Sequence, residues 1–326
     1  MIELLPNINV DWLGKRKLFF VISAVLIGIG LISLVSKRSF RYGVDFQGGT
    51  IVYVQFKEAP QIDRIRQLLG DSGLPNSQIQ PVSGGGLSNA VLIQLEQTSV
   101  DVTDLGRGRD EVTQALNKEF AGSFEVISSE SVGPKAGEDL RRQAVLATAY
   151  ALGGILIYMA FRFELIYGAA AVFAVFHDVL VTLGFFSITN REIDLTVIAA
   201  LLTLVGYQVN DTIVVFDRIR ENRKRNRRED FETALNKGIN ETMSRTIITA
   251  GLTFLAVLAL FLFGGSTLNS FAFALLIGQI VGTYSSIAIA APLVLIYANV
   301  RGSTALQPAV ASRASAAKSP RPAKAK

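Results

Sequence analysis

Six long apolar runs constrain this chain more than any other feature. They lie at about 18–35, 145–161, 166–188, 195–216, 247–263 and 271–297. Each is close to the roughly 20 residues that an α-helix needs to cross a bilayer. Half of the residues are hydrophobic and only 18% are charged, below the roughly 25% of a soluble domain. The reading is a polytopic α-helical membrane protein with six transmembrane helices. The first run has an apolar part too long for a secretory leader, and no small-residue cleavage site follows it. It is read as a retained helix.

Basic residues give the expected orientation. They cluster at Lys15, Arg16 and Lys17, from Arg218 to Arg228, and in a tail with Arg301, Arg313, Lys318, Arg321, Lys324 and Lys326. With six spans all three clusters share one side, and the positive-inside rule makes that side cytoplasmic. Lys37, Arg38 and Arg41 oppose this locally, but the two later clusters outweigh them. The expected layout is a cytoplasmic N-terminus (1–17), a first helix (18–35), an extracytoplasmic domain (36–141) and helices two to six (142–299). The last part includes a basic cytoplasmic loop (217–244), and a disordered tail (300–326) follows. The RKRNRR run beside membrane helices is read as a topology determinant or a contact for lipid or a partner. It is not read as a nucleic-acid site.

Composition also removes classes of chemistry. There are no cysteines, so disulfides, thiol catalysis and cysteine-held metals are excluded. One histidine, His177, argues against a multi-histidine zinc or haem site, and no cofactor is expected. No nucleophile and base stand at a recognisable spacing, and a GxGD motif is absent around Asp211. The chain does not read as an enzyme.

About 100 residues separate the first two runs, and they are acidic on balance. Residues 51–56 are β-branched and aromatic, as a strand prefers. Ile62, Ile65, Leu68 and Leu69 then recur at helical spacing. Apolar runs near 78–82 and 90–95, a second helix marked by Val112, Leu116 and Phe120, and a strand near 124–127 complete the order β-α-β-β-α-β. That order predicts a small α+β ferredoxin-like domain. The turn VDFQGGT (44–50) lacks the lysine and helix N-terminus of a phosphate loop. Its paired glycines predict positive φ or close packing.

Polar residues recur at helical spacing within the later runs. Thr203, Tyr207 and Asp211 share a face of the fourth, with Asn210 beside them. Thr242, Arg245, Thr249 and Thr253 follow the fifth, and Gln279, Thr283 and Ser286 the sixth, while the third carries His177 and Asp178. Groups three and four apart lie on one face. Lipid cannot satisfy them, so the seams must meet one another or a water-filled cleft. Gly278 and Gly282 form a helix-packing signal.

Most of these groups have a structural reading alongside a functional one. Arg245 could snorkel to the headgroups, the hydroxyls and Gln279 could join helices, and His177 with Asp178 could be a polar pair holding the bundle. Asp211 resists such a reading. It is too short to snorkel, and a charged aspartate near a helix centre costs about 2.5–3.5 kcal/mol on the insertion scale. Apolar surroundings disfavour its charged form and an adjacent arginine favours it. A carboxylate passing between those settings takes up a proton in one and drops it in the other. A membrane potential supplies about 2.3 kcal/mol per charge per 100 mV, comparable to the few kcal/mol separating two packings of a bundle.

The segment 192–222, EIDLTVIAALLTLVGYQVNDTIVVFDRIREN, resembles the fourth-helix signature of the SecF family of bacterial protein-export membrane proteins. YGVDFQGGT, VGPKAGEDLR, FHDV, ETMSRTIITAGLT and GTYSSIAIAAPL match in the right order, so the resemblance covers about residues 5–300. VDFQGG and FHDV are shared with the sister SecD proteins. The short domain between the first two helices favours the SecF side. The resemblance implies a bacterial inner-membrane protein that pairs with SecD, looks like half of a resistance-nodulation-division transporter, and associates with the SecYEG channel. It implies use of the proton-motive force to complete translocation of a preprotein after the SecA ATPase has acted. The family's proton-path aspartate, arginine and threonine match Asp211, Arg245 and Thr249, and a further carboxylate of that path belongs to SecD. A half-size small-molecule efflux transporter and a non-transporting scaffold are the competing readings.

Overall fold

The computed structural model describes residues 8–84, 87–96, 106–163, 165–226 and 228–301. The expected tail lies outside these residues except for its first two positions. Among the described residues, six helices are long and apolar enough to cross a membrane. They are α1 (Arg16–Lys37), α5 (Pro134–Arg162), α6 (Leu165–Thr189), α7 (Leu195–Arg225), α8 (Phe231–Phe263) and a composite sixth. The sixth runs through α9 (Gly265–Ser285), a π-helical turn (Ser286–Ala290) and α10 (Ala291–Arg301). The α6, α7 and sixth helices bury half or more of their spanning residues, whereas α1, α5 and α8 leave large apolar faces exposed. The bundle therefore has a three-helix centre. Small residues allow its closest approaches: a Cβ added to Gly30 of α1 would lie 2.8 Å from the Gly184 Cα of α6.

Between α1 and α5 the chain forms α2 (Val44–Gln47), β1 (Gly49–Phe56), α3 (Ile62–Asp71), β2 (Gln78–Gly84), β3 (Leu87–Glu96), α4 (Arg107–Phe120) and β4 (Phe124–Val132). The four strands form one sheet in the order β2-β3-β1-β4, every neighbouring pair antiparallel. Alternation along the strands makes one face apolar. Val52, Val54, Phe56, Val91, Ile93 and Leu95 pack there against Ile65 and Leu69 of α3 and Val112 and Leu116 of α4. Pro81 is tolerated because β2 is an edge strand.

Two boundaries differ from expectation. The stretch 217–244, expected as a basic loop, is mostly helix: α7 continues to Arg225 and α8 begins at Phe231. Ion pairs stabilise both extensions. Arg225 meets Glu221 at 2.7 Å on α7, and Arg218 bridges to Glu241 of α8 at 2.6 Å. Asp230 caps α8 by accepting from the amides of Glu232 and Thr233. Hydropathy windows see charge here and miss the helix. Likewise α5 starts at Pro134, so residues 134–141 belong to that helix rather than to the sheet domain.

At the end of the bundle away from the sheet, the segment before α1 is fastened to α8. Asn240 Nδ2 and Asn236 Nδ2 donate to the Val10 carbonyl at 2.9 and 3.0 Å. Asn236 Oδ1 accepts from the Trp12 amide at 2.9 Å, and Asn240 Oδ1 from the Trp12 indole at 3.0 Å. Arg16 adds an ion pair to Glu232 at 2.7 Å.

Candidate functional site

The polar seams meet around α7. Asp211 is 7% exposed, about 24 Å along α7 from its first residue, Leu195, at 1.5 Å per residue. Among the described residues it makes no hydrogen bond and no ion pair within 4 Å. The cation whose charge acts on it is Arg245 of the adjacent α8. The two are neighbours without direct contact, and Arg245 itself is exposed. Thr249 donates to the carbonyls of Arg245 and Thr246 at 3.0 and 3.1 Å, so its hydroxyl bonds within its own helix. Tyr207 Oη accepts from Thr253 at 3.0 Å and joins α7 to α8. Asn210 and Thr203 are exposed on α7. A half-exposed polar seam thus surrounds a carboxylate that has no bonded partner among the described residues.

His177 and Asp178 have different surroundings. They are 4% and 1% exposed on α6. His177 Nδ1 lies 2.8 Å from Asp178 Oδ1, and Ser285 Oγ of α9 donates to Asp178 Oδ2 at 2.6 Å. Both carboxylate oxygens are engaged. The serine contacts the aspartate rather than the histidine, so this is not a nucleophile-and-base arrangement. His177 Nε2 is buried with no hydrogen-bond partner among the described residues.

Two residues of the site escape pattern reading. Gln208, one turn before Asp211, is buried and donates to the Gly278 carbonyl of α9 at 2.7 Å. Gly278 and Gly282 give room for this: a Cβ on Gly278 would strike Leu204, and one on Gly282 would strike Gln208. Ser285, which was not part of the seam read as Gln279, Thr283 and Ser286, reaches Asp178. Ser286 bonds within its own helix, to the Thr283 carbonyl at 3.2 Å. The reason is geometric. Gly278, Gly282 and Ser285 share the face of α9 turned to α6 and α7, and Gln279 and Thr283 lie on the next stripe. Gln279 is nevertheless buried. Glycines seven and three positions before that serine were the available signal.

With this geometry described, relatives can be compared. The family described as "Protein export membrane protein SecD/SecF, C-terminal" matches residues 112–300, and the "SecD/SecF GG Motif" matches residues 36–60. A protein translocase subunit SecF of Koribacter versatilis is 41% identical, covering 95% of this chain and 98% of that one. The Calditerrivibrio nitroreducens subunit of the same name is 45% identical, over 92% and 98%. The crystal structure of SecDF, a translocon-associated membrane protein from Thermus thermophilus, superposes with a TM-score of 0.78 at 36% identity. That match covers 92% of this chain and 40% of the SecDF chain. A SecDF structure in a super-membrane-facing form gives a TM-score of 0.66. A family match over more than half of the chain, and relatives above 40% identity along nearly all of it, lead to one conclusion: the chain belongs to the SecD/SecF family of protein-export membrane proteins.

Proposed function

We propose that the chain is the SecF-type subunit of the bacterial Sec machinery. It pairs with SecD, works beside SecYEG, and uses the proton-motive force to draw a preprotein outward after SecA has acted. In this reading Asp211 carries the proton, Arg245 tunes its charge state, and Thr249 lies one turn beyond on the same route. The sheet domain is ferredoxin-like and faces away from the cytoplasm, and both termini are cytoplasmic. The supporting observation is the unpartnered Asp211. A buried carboxylate with no hydrogen bond is costly as a fixed structural element. Near a cation it does not touch, it can change protonation without breaking a bond. Electrostatics of this kind matter in a low-dielectric interior, where a charge several ångströms away still acts. The exposed seam of Thr203, Asn210 and Arg245 is the face that a second membrane subunit would cover.

The test is Asp211→Asn in inverted vesicles, with subunit levels and SecD assembly checked first. Gradient-dependent completion of translocation is expected to fall by at least about tenfold, as befits loss of a group that acts through its proton. The ATP-driven early step should persist. Unaltered gradient dependence would falsify the proton role and leave a packing scaffold. Changed drug tolerance with intact secretion would favour the efflux reading.

A further inference from the structure

The proposed proton route makes no use of the VDFQGG turn, yet three parts of the molecule meet there. Gly48 (φ 81°) and Gly49 (φ 148°) turn the chain from α2 into β1. A Cβ on Gly48 would lie 2.8 Å from the Pro134 Cα at the start of α5, and one on Gly137 would lie 3.0 Å from the Phe46 carbonyl carbon. The sequence expectation of positive φ and close packing is met at this turn in both respects. On its other side the turn is attached to α7. The Ile193 amide donates to the Arg41 carbonyl at 2.8 Å, and the Gly43 amide to the Ile193 carbonyl at 2.9 Å. Tyr42 and Ile193 thereby form a parallel bridge. Asp45 Oδ2 accepts from the Leu195 amide at 2.9 Å, while Asp194 accepts from the Val197 amide at 2.8 Å. An ion pair between Arg41 and Glu192 at 2.8 Å closes the same corner.

The first-turn amides of a helix have no partner within the helix. Here α7 satisfies one with its own cap and another with a carboxylate from 150 positions earlier in the chain. The positive end of the helix dipole favours both acids. A long-range cap has a mechanical consequence that a local one lacks, because it fixes the helix to whatever carries the cap. Asp45 lies on α2, which packs on the start of α5 and runs through Gly48 into β1, so its carrier is the root from which the sheet domain rises.

We propose that this junction is a rigid coupling: the sheet domain and the helix bearing Asp211 move as one body, and Asp45 is the positioning residue that joins them. The proposal rests on the proton reading of Asp211 for its meaning, though not for its structural test. A packed helix transmits displacement along its axis, so a shift of the domain at Leu195 arrives at Asp211 about 24 Å away. Protonation at one end and domain movement at the other then become two readouts of one equilibrium.

The experiment uses the full chain assembled with its membrane partner. Amide hydrogen exchange over residues 193–197 is compared for the parent, Asp45→Ala and Asp45→Asn. Asp45→Ala is expected to exchange about tenfold faster there, the scale of one lost capping bond, and to lose gradient-dependent translocation several-fold. Asp45→Asn keeps an acceptor oxygen, so it should recover most of both. The chain has no other thiols, so Tyr42→Cys with Ile193→Cys gives a clean crosslink across neighbouring chain segments. Oxidation of that pair should leave translocation intact. Loss of translocation on oxidation, restored by reductant, overturns the rigid coupling by showing that the corner must open. Unchanged exchange in Asp45→Ala overturns the role of Asp45. If Asp211→Asn proves silent, the proton reading fails while the exchange measurement still decides the junction.

Discussion

The central helices hold two buried aspartates, and their environments are opposite. Asp178 is engaged at both oxygens, by His177 and by Ser285 of a different helix. Asp211 is buried almost as deeply and, among the described residues, accepts no hydrogen bond, with the charge of Arg245 acting on it. A satisfied carboxylate fixes a helix pair in one arrangement, because any movement leaves polar groups unpaired. A carboxylate without partners fixes nothing and is free to respond. Burial alone does not separate the two roles; what the oxygens touch does.

The largest effect expected from this contrast falls on stability at the first site. Asp178→Ala strands His177 and Ser285 in the interior, and breaking a buried polar set of this kind costs about 3–5 kcal/mol. Thermal unfolding of the purified protein should show a clear drop, whereas Asp211→Asn should unfold within about 1 kcal/mol of the parent. Equal losses at the two sites would erase the distinction. Next comes the helix contact between them. Gly282→Leu forces a side chain into the space of Gln208 and should destabilise by about 1–3 kcal/mol, with lowered assembly as a second readout. Smaller still is Arg245→Lys. Arg245 and Asp211 share no direct bond among the described residues, so the planar fork of arginine is unnecessary and positive charge suffices. Gradient-dependent translocation should stay within about threefold of the parent; a collapse to the level of Asp211→Asn would reveal a bidentate contact during the cycle.

The least effect belongs to Glu192, a carboxylate between the two extremes, three positions before α7 begins. Burial pushes its carboxyl above the usual carboxylate range, and Arg41 offsets that only in part. A raised folded value means that its favourable contribution is present below the ordinary carboxylate range and is lost as pH rises through the folded value. Glu192→Gln should therefore stabilise slightly near neutral pH, by about 0.5 kcal/mol, and the gain should vanish in acid. Melting curves at the two pH values check the sign.

The sequence made one of these aspartates conspicuous and left the other ambiguous. Asp211 stands out because a charge interrupts an apolar run, and hydropathy is sensitive to that. The six helices and the order of strands in the small domain were legible for the same reason, since periodic burial writes itself into residue type. Ser285 was not legible. Spacing rules assign stripes on a helix, and a stripe does not say which neighbour it faces. Gln208 was passed over because a lone amide carries no pattern. The long-range cap on α7 joins residues 45 and 195, and nothing local in either segment announces the other. The helical continuation of α7 and α8 beyond the apolar runs was hidden by its charge, which marks exposure rather than loss of helix.

The fastening of Val10 and Trp12 to Asn236 and Asn240 bears on how such a chain is made. Its two halves are separated by 224 to 230 positions. At 5–20 residues per second, synthesis leaves the leading segment without its seat for on the order of ten to fifty seconds. The first helix must therefore enter the bilayer untethered at that end. The latch can close only once the fifth helix has been made, so its closure reports that the bundle is nearly finished.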